Sequence, residues 1–176
     1  MSAYKIVVTG TFNSGKTQFI KTISDIDVVS TERKITTEDR GIKAETTVAM
    51  DYGRVKVDDD TLMLHGTPGQ TRFDFMREIL SNEMDAFLVL VDSTDPLSFP
   101  EATSLIDEFT RFYNVPYLII ANKTDLKGAA SLTEVRRGTH ASGDVTVMPC
   151  VATQKSSVRQ VLRQMVELLK REQAKG

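Results

Sequence analysis

Tyr4-Lys5-Ile6-Val7-Val8-Thr9, followed at once by Gly10-Thr11-Phe12-Asn13-Ser14-Gly15-Lys16-Thr17, is the stretch on which the architecture turns. Ile6, Val7 and Val8 make a short, β-branched apolar run, which predicts a strand over Tyr4 to Thr9 buried on both faces. The octapeptide after it fits G-x-x-x-x-G-K-[ST], and a helix is predicted to open near Gly15. Strand, glycine-bearing turn and helix N-terminus in that order make an anion site. The glycines let successive backbone N–H groups converge on a phosphate, and the helix end adds partial positive charge. Lys16 is then placed to reach the β- and γ-phosphates, and the Thr17 hydroxyl to ligate Mg²⁺.

Outward from this stretch, apolar strand runs alternate with helical stretches, the pattern of a parallel sheet covered on both faces. Thr47 to Val57 and Thr61 to Leu64 flank Asp58-Asp59-Asp60, a polar turn suited to an antiparallel hairpin; Ala86 to Asp92, Tyr117 to Asn122 and Val145 to Cys150 supply the remaining strands. The expectation is an α/β fold of the P-loop NTPase type: a six-stranded, mostly parallel sheet with one antiparallel strand and helices on both faces. Val158, Val161, Leu162, Met165, Val166 and Leu169 recur at helical spacing near the end of the chain, and Leu105, Ile106, Phe109 and Phe112 do so earlier; both stripes are expected to pack as core. Residues 25–45 mix acids and bases without a sustained period. Such a segment is a functional loop, a disordered insert or an unrecognised element. With 176 residues and no internal repeat, one domain over 1–176 is expected.

Composition narrows the partners. Lys+Arg number 22 and Asp+Glu 24, for a formal net charge of −2, without the basic footprint that binding a phosphate backbone demands; nucleic acid is disfavoured as a partner. The one cysteine, Cys150, excludes an internal disulfide and is expected to be a buried small hydrophobe. His65 and His140 share no transition-metal spacing with other ligand types. No apolar run approaches the ~20 residues of a membrane span, and neither a signal-peptide layout nor a lipidation motif is found, so a cytoplasmic protein without a direct membrane anchor is expected.

A phosphate loop is shared by kinases, ATPases and GTPases. Asn122-Lys123-Thr124-Asp125 separates them, because it ends an apolar strand at the sheet edge where open α/β sheets bind ligands. A carboxylate accepts two hydrogen bonds, and guanine presents N1–H and N2–H₂ side by side, whereas adenine offers one donor and one acceptor on that edge. Asp125 therefore selects guanine. A P-loop kinase or ATPase would need an adenine or substrate site in its place.

With these two motifs in order, the sequence resembles the Ras-type small GTPases over essentially its whole length. Gly10 to Thr17 resembles their phosphate loop, Asn122 to Asp125 their guanine motif, and Cys150-Val151-Ala152-Thr153 stands at their Ser-Ala-Lys loop. The resemblance implies a switch that binds GTP/GDP with Mg²⁺, through Gly10, Asn13, Ser14, Gly15, Lys16, Thr17 and Gln18 at the phosphates and Asn122, Lys123, Asp125, Ala152 and Thr153 at the base. Thr46-Thr47-Val48-Ala49-Met50-Asp51-Tyr52 resembles the first switch, with Thr47 as second Mg²⁺ ligand beside Thr17 and Thr46 as a close competitor; residues 25–45 become an elongated first switch. Gly66-Thr67-Pro68-Gly69-Gln70 resembles the second switch. There Gly69 would give its N–H to the γ-phosphate and Gln70 would orient the attacking water, with Lys16 completing the catalytic set. Gly66 departs from the family: most relatives carry at that position the aspartate that holds a Mg²⁺-bound water. Asp92 is one candidate to replace it.

A Gly-Thr-Pro-Gly-Gln switch is associated with a bacterial and archaeal branch, which implies a protein regulator or effector of the Roadblock type. Bulky Phe12 near the γ-phosphate implies slow hydrolysis, with Arg40, Arg54 or Arg72 as candidates to act in cis. The alternative is a pseudo-GTPase, a nucleotide-stabilised interaction scaffold, motivated by Gly66 and Phe12.

Overall fold

The computed structural model describes residues 1–39, 41–67 and 83–176, with the backbone alone for 31–39 and 42–49. Seven strands run in chain order: β1 (Ala3–Gly10), β2 (Val29–Asp39), β3 (Ile42–Val57), β4 (Asp60–Gly66), β5 (Ala86–Asp92), β6 (Tyr117–Asn122) and β7 (Val147–Cys150). They form one sheet in the order β2-β3-β4-β1-β5-β6-β7. Pairing is parallel between β1 and β4, β1 and β5, β5 and β6, and β6 and β7, and antiparallel on both sides of β3. The expected architecture, a mostly parallel sheet with one antiparallel strand, is therefore present with a seventh strand added.

That seventh strand is the main correction to the sequence reading. Residues 29–39, expected to lie in irregular chain, form β2, and β3 begins at Ile42 rather than Thr47. The register pairs Asp39 with Ile42 and Val29 with Tyr52, a long hairpin whose turn contains Gly41 at φ 77. The physical reason is visible in composition: Thr31, Ile35, Thr36, Thr37, Thr46, Thr47 and Val48 are β-branched and favour extended backbone. Mixed charges hide the extended pattern from a hydrophobic period, and the register sets Glu38 opposite Lys43. β7 is also shorter than expected, beginning at Val147.

Four helices cover the sheet among the described residues: α1 (Lys16–Ile23), α2 (Phe99–Phe112), α3 (Leu132–Gly138) and α4 (Lys155–Lys175). Strand alternation divides the core into two layers. Ile6, Val8, Leu88 and Leu90 point to one face, where α1 and α4 bury Phe19, Ile20, Leu162 and Met165; Val7, Phe87, Val89 and Val91 point to the other, against Phe99, Ile106 and Phe109 of α2 and Val135 of α3. All six residues of the terminal helical stripe are buried. In α2 the stripe is rotated from expectation. Phe99, Ala102, Ile106 and Phe109 are buried, while Phe112 is 44% exposed. Capping is local where it can be: Ser131 and Glu134 form a reciprocal capping box on α3. No helix among the described residues is long and apolar enough to cross a membrane.

Candidate functional site

The site is built where β1 ends. Gly10 closes the strand; a Cβ there would lie 2.3 Å from the Leu90 carbonyl oxygen and 2.8 Å from Ser14 Oγ, so only glycine lets the turn pass β5 this closely. Gly15, at φ 101, caps α1, and its carbonyl accepts from Phe19 N–H at 2.8 Å. A Cβ on Gly15 would meet Asn122 Nδ2 at 2.4 Å. Lys16 folds back over the loop, its Nζ donating to the carbonyls of Gly10 at 3.0 Å and Thr11 at 3.1 Å. Burial lowers the pKa of this ammonium below its ordinary 10.5, a pull opposed by the charge of Glu101. Two of its three donors are occupied, which leaves one for an anion.

Ser14 Oγ is buried and has no hydrogen-bond partner among the described residues. An orphaned hydroxyl beside a glycine turn and a lysine with a spare donor fits a phosphate, whose oxygens accept from all three. A cleft of about 540 Å³ opens here, lined by Phe12 to Lys21 residues of the loop and α1 together with Asp51 and Thr67. Phe12 stands at its mouth, 59% exposed. Thr17 Oγ1 donates to Asp51 Oδ2 at 2.7 Å across the cleft floor.

The Asn122 motif lies at the other end. β6 carries Asn122 to the same sheet edge as the loop, and its buried amide bonds in two directions: Nδ2 donates to the Ser14 carbonyl at 2.9 Å, and Oδ1 accepts from Ala152 N–H at 3.0 Å. One side chain thereby ties the phosphate loop, the β6 exit and the β7 exit together. Lys123, at φ 64, turns back so that its Nζ donates to the Asn13 carbonyl at 2.9 Å and to Asp92 Oδ2 at 2.8 Å. Asp125 lines a second cleft of about 210 Å³ with Gly15, Gln18, Lys123, Ala152 and Thr153. Gly15 and Gln18 border both clefts, so the two adjoin.

Both carboxylate oxygens of Asp92, one candidate to replace the missing aspartate, are engaged by protein groups. Oδ2 is bound to Lys123, and Oδ1 accepts from Thr94 N–H at 2.9 Å and Thr94 Oγ1 at 2.6 Å. Burial would raise its pKa, but Lys123 and the Thr94 donors outweigh that and hold it below the ordinary 3.8. Cys150 is buried, with its thiol pKa raised by desolvation. Arg54 is exposed on β3, three residues beyond Asp51. Thr46 and Thr47 occupy rungs opposite Ile35 and Lys34 in the hairpin. Gly69, Gln70, Arg40 and Arg72 lie outside the described residues.

Asp51 is the residue that the motifs missed. A signal for it was present: six residues back from Val57 and six forward from Asp60, the first pair across the Asp58-Asp59 turn, the register sets Asp51 opposite Gly66.

Comparison with known proteins agrees with this geometry. The chain is 34% identical over 122 residues to an uncharacterized protein of Methanocaldococcus jannaschii, covering 69% of this chain and 71% of the relative. It is 33% identical over 140 residues to ADP-ribosylation factor-like protein 3 of Caenorhabditis elegans, covering 76% and 67%. The fold superposes on the Arl6 BBS3 small GTPase of Trypanosoma brucei, solved with the nucleotide analogue GppNp, at a TM-score of 0.70 and 22% identity over 96% of this chain and 98% of that one. The Ras family matches over residues 5–171, nearly the full length. This chain belongs to the Ras family of small GTPases, GTP-binding switch proteins.

Proposed function

We propose that this single domain, residues 1–176, is a Mg²⁺-dependent guanine-nucleotide switch with slow intrinsic GTP hydrolysis. The observation that carries the reading is that the two clefts adjoin at Gly15 and Gln18, with Asn122 bonded to both sides. A nucleotide lying along them puts its phosphates on Gly10 to Thr17 and its base on Asp125, whose carboxylate takes the guanine N1–H and N2–H₂. Ala152 and Thr153 border the base, and Lys123 braces the loop carbonyl at Asn13. Mg²⁺ supplies charge neutralisation at the β- and γ-phosphate oxygens when bound, and Thr17 Oγ1 is the ligand that this chain offers it on α1.

Gln70 orients the attacking water and the Gly69 N–H senses the γ-phosphate. Thr47 is the second ligand in the GTP form. Since four extended residues span ~13 Å, Thr47 reaches the cation only if the β2–β3 hairpin gives up part of its ladder, and that exchange is the switch. Its product is a changed surface for a protein regulator or effector. Phe12 at the cleft mouth obstructs an arginine supplied by a partner and keeps turnover slow. Gly66 favours a second reading, a scaffold that binds nucleotide without turnover.

Release of a fluorescent GDP analogue from the purified protein, chased with GTP, GDP or ATP, tests the reading. Displacement by guanine nucleotides alone is expected; equal displacement by ATP overturns the assignment of Asp125. Phosphate release at a measurable single-turnover rate, lost in Gln70→Ala, separates the switch from the scaffold.

A further inference from the structure

The family's metal-water aspartate is a glycine here, and the structure places another carboxylate on the facing rung. Gly66 and Asp51 face each other on one rung of the β3–β4 ladder. A Cβ built on Gly66 would come 3.4 Å from Asp51 Cβ and 2.9 Å from Ile20 Cδ1. Asp51 thus stands beside Gly66 on the same rung, with its Cβ within ordinary contact distance of the place a residue-66 Cβ would take. Its carboxylate ends at the cleft floor, with Oδ2 2.7 Å from Thr17 Oγ1.

We propose that Asp51 is the carboxylate of the divalent-cation site, supplied from β3 in place of the one missing from β4. This rests on the guanine-nucleotide reading above. A hydroxyl that ligates a cation through its lone pair must hand its proton to an acceptor, and a carboxylate is the acceptor that keeps the lone pair aimed at the metal. Asp51 Oδ2 already accepts that proton. With Oδ2 on the Thr17 hydroxyl, Asp51 would orient Thr17 toward a cation, and its remaining acceptor capacity would serve a water bound to that cation. The role has moved across one ladder rung, from one strand to its neighbour. The consequence for regulation is direct: β3 is the strand that carries Thr47, so a shift of the hairpin also moves the carboxylate.

The test uses the full chain loaded with a fluorescent GDP analogue, with release timed in excess Mg²⁺ and after chelation, and Mn²⁺ bound to the GDP complex titrated by electron paramagnetic resonance. In the wild type, Mg²⁺ slows release; absence of any Mg²⁺ effect there would defeat the switch reading itself. Asp51→Asn preserves shape and an acceptor for Thr17. It is expected to raise the release rate in Mg²⁺ about 10-fold or more and to weaken Mn²⁺ by about 10–100-fold, with the chelated rate unchanged within about twofold. The double variant Asp51→Gly with Gly66→Asp returns a carboxylate to β4, with Ile20 Cδ1 at a flexible end to make room, and is expected to recover most of the Mg²⁺ effect. Wild-type Mn²⁺ affinity and Mg²⁺ ratio in Asp51→Asn, or equal acceleration with and without the metal, would overturn the proposal.

Discussion

The Asn122 end of the cleft hangs on β5 and β6, parallel strands buried on both faces, whereas the Asp51 end leans on β3, an antiparallel strand one place from the sheet edge. At the first end the groups that join the loops form a hub, bonded to one another before any ligand arrives: Asn122 holds the Ser14 carbonyl and the Ala152 N–H, and Lys123 holds the Asn13 carbonyl and Asp92. At the second, a single hydroxyl-to-carboxylate bond crosses from helix to sheet. The base end is preorganised, so its ligand meets a fixed shape at little ordering cost. The phosphate-sensing end is held by a hairpin whose outer strand has a free edge, the kind of element with two accessible states.

The largest effects should come from breaking the hub. Asn122→Ala leaves the Ser14 carbonyl and the Ala152 N–H buried without partners, at about 1–3 kcal/mol each. Fluorescence titration is expected to show guanine-nucleotide affinity reduced by 100-fold or more, with a lowered midpoint of thermal unfolding in the nucleotide-free protein. Gly15→Ala should act at the same place. Its Cβ would displace Asn122 Nδ2, and φ 101 is strained for any L side chain. Wild-type affinity in either variant would show that the loop is held by something other than Asn122.

This hub was also the part most legible in the sequence. Gly10 to Thr17 and Asn122 to Asp125 sit at the ends of strands with unbroken apolar runs, whose direction and burial follow from composition alone, so each motif's place in space follows from its place in the chain. The partner of Lys123 did not follow. Asp92 was weighed as a metal residue because it ends a neighbouring strand, and only side-chain geometry shows Lys123 arching over to it. The hairpin is illegible for a different reason: an edge strand rich in Thr and charge has no hydrophobic period, and its extended form is set by pairing with β3 rather than by burial of one face. Asp51 is not legible along the chain because its relation to Gly66 runs across the ladder.

Lys123→Met should have an intermediate effect. Asp92, nearly buried, keeps its Thr94 donors but loses its counter-charge, which costs about 1–3 kcal/mol. The sign of the pH dependence follows from the depressed pKa of Asp92 in the folded state. The pair stabilises the protein above the ordinary value of 3.8 and is lost as acid titrates the carboxylate through its lower folded value. Urea unfolding of wild type and Lys123→Met should therefore differ at pH 7 and draw together as the pH falls below 3.8. A difference that persists in acid would assign the cost to lost packing instead.

His65 gives a smaller effect on the hairpin side. Burial, with the charge of Lys5 adding to it, pushes its pKa from 6.5 to about 4, and its ring lies 5.0 Å from that of Tyr52 on the paired rung. Between those values the unfolded chain binds the extra proton, so stability falls as the pH drops from 6.5 toward 4. Discounted for partial exposure, the loss is about 1–2 kcal/mol. His65→Gln should abolish that slope in urea melts while leaving nucleotide release at pH 7.5 unchanged. An unaltered slope would move its origin to other groups.

The smallest expected effect sharpens the comparison most. Gly41 and Gly15 both have left-handed φ, 77 and 101, but a Cβ on Gly41 would meet nothing within 4 Å. Gly41→Ala therefore carries backbone strain alone, about 1 kcal/mol, reduced by the entropy that alanine removes from the unfolded chain. In a chain of this size that moves the unfolding midpoint by about 2–4 °C or less. If the two ends of the molecule are as separate as their bonding suggests, GDP release in Mg²⁺ should not change. The hairpin, however, joins its tip to Asp51 through nine residues of continuous strand. Faster Mg²⁺-dependent release in Gly41→Ala, with the chelated rate unaltered, would mean that strain at the tip travels down β3 to the carboxylate, and the outer strand would then be the element through which a bound partner sets the lifetime of the nucleotide.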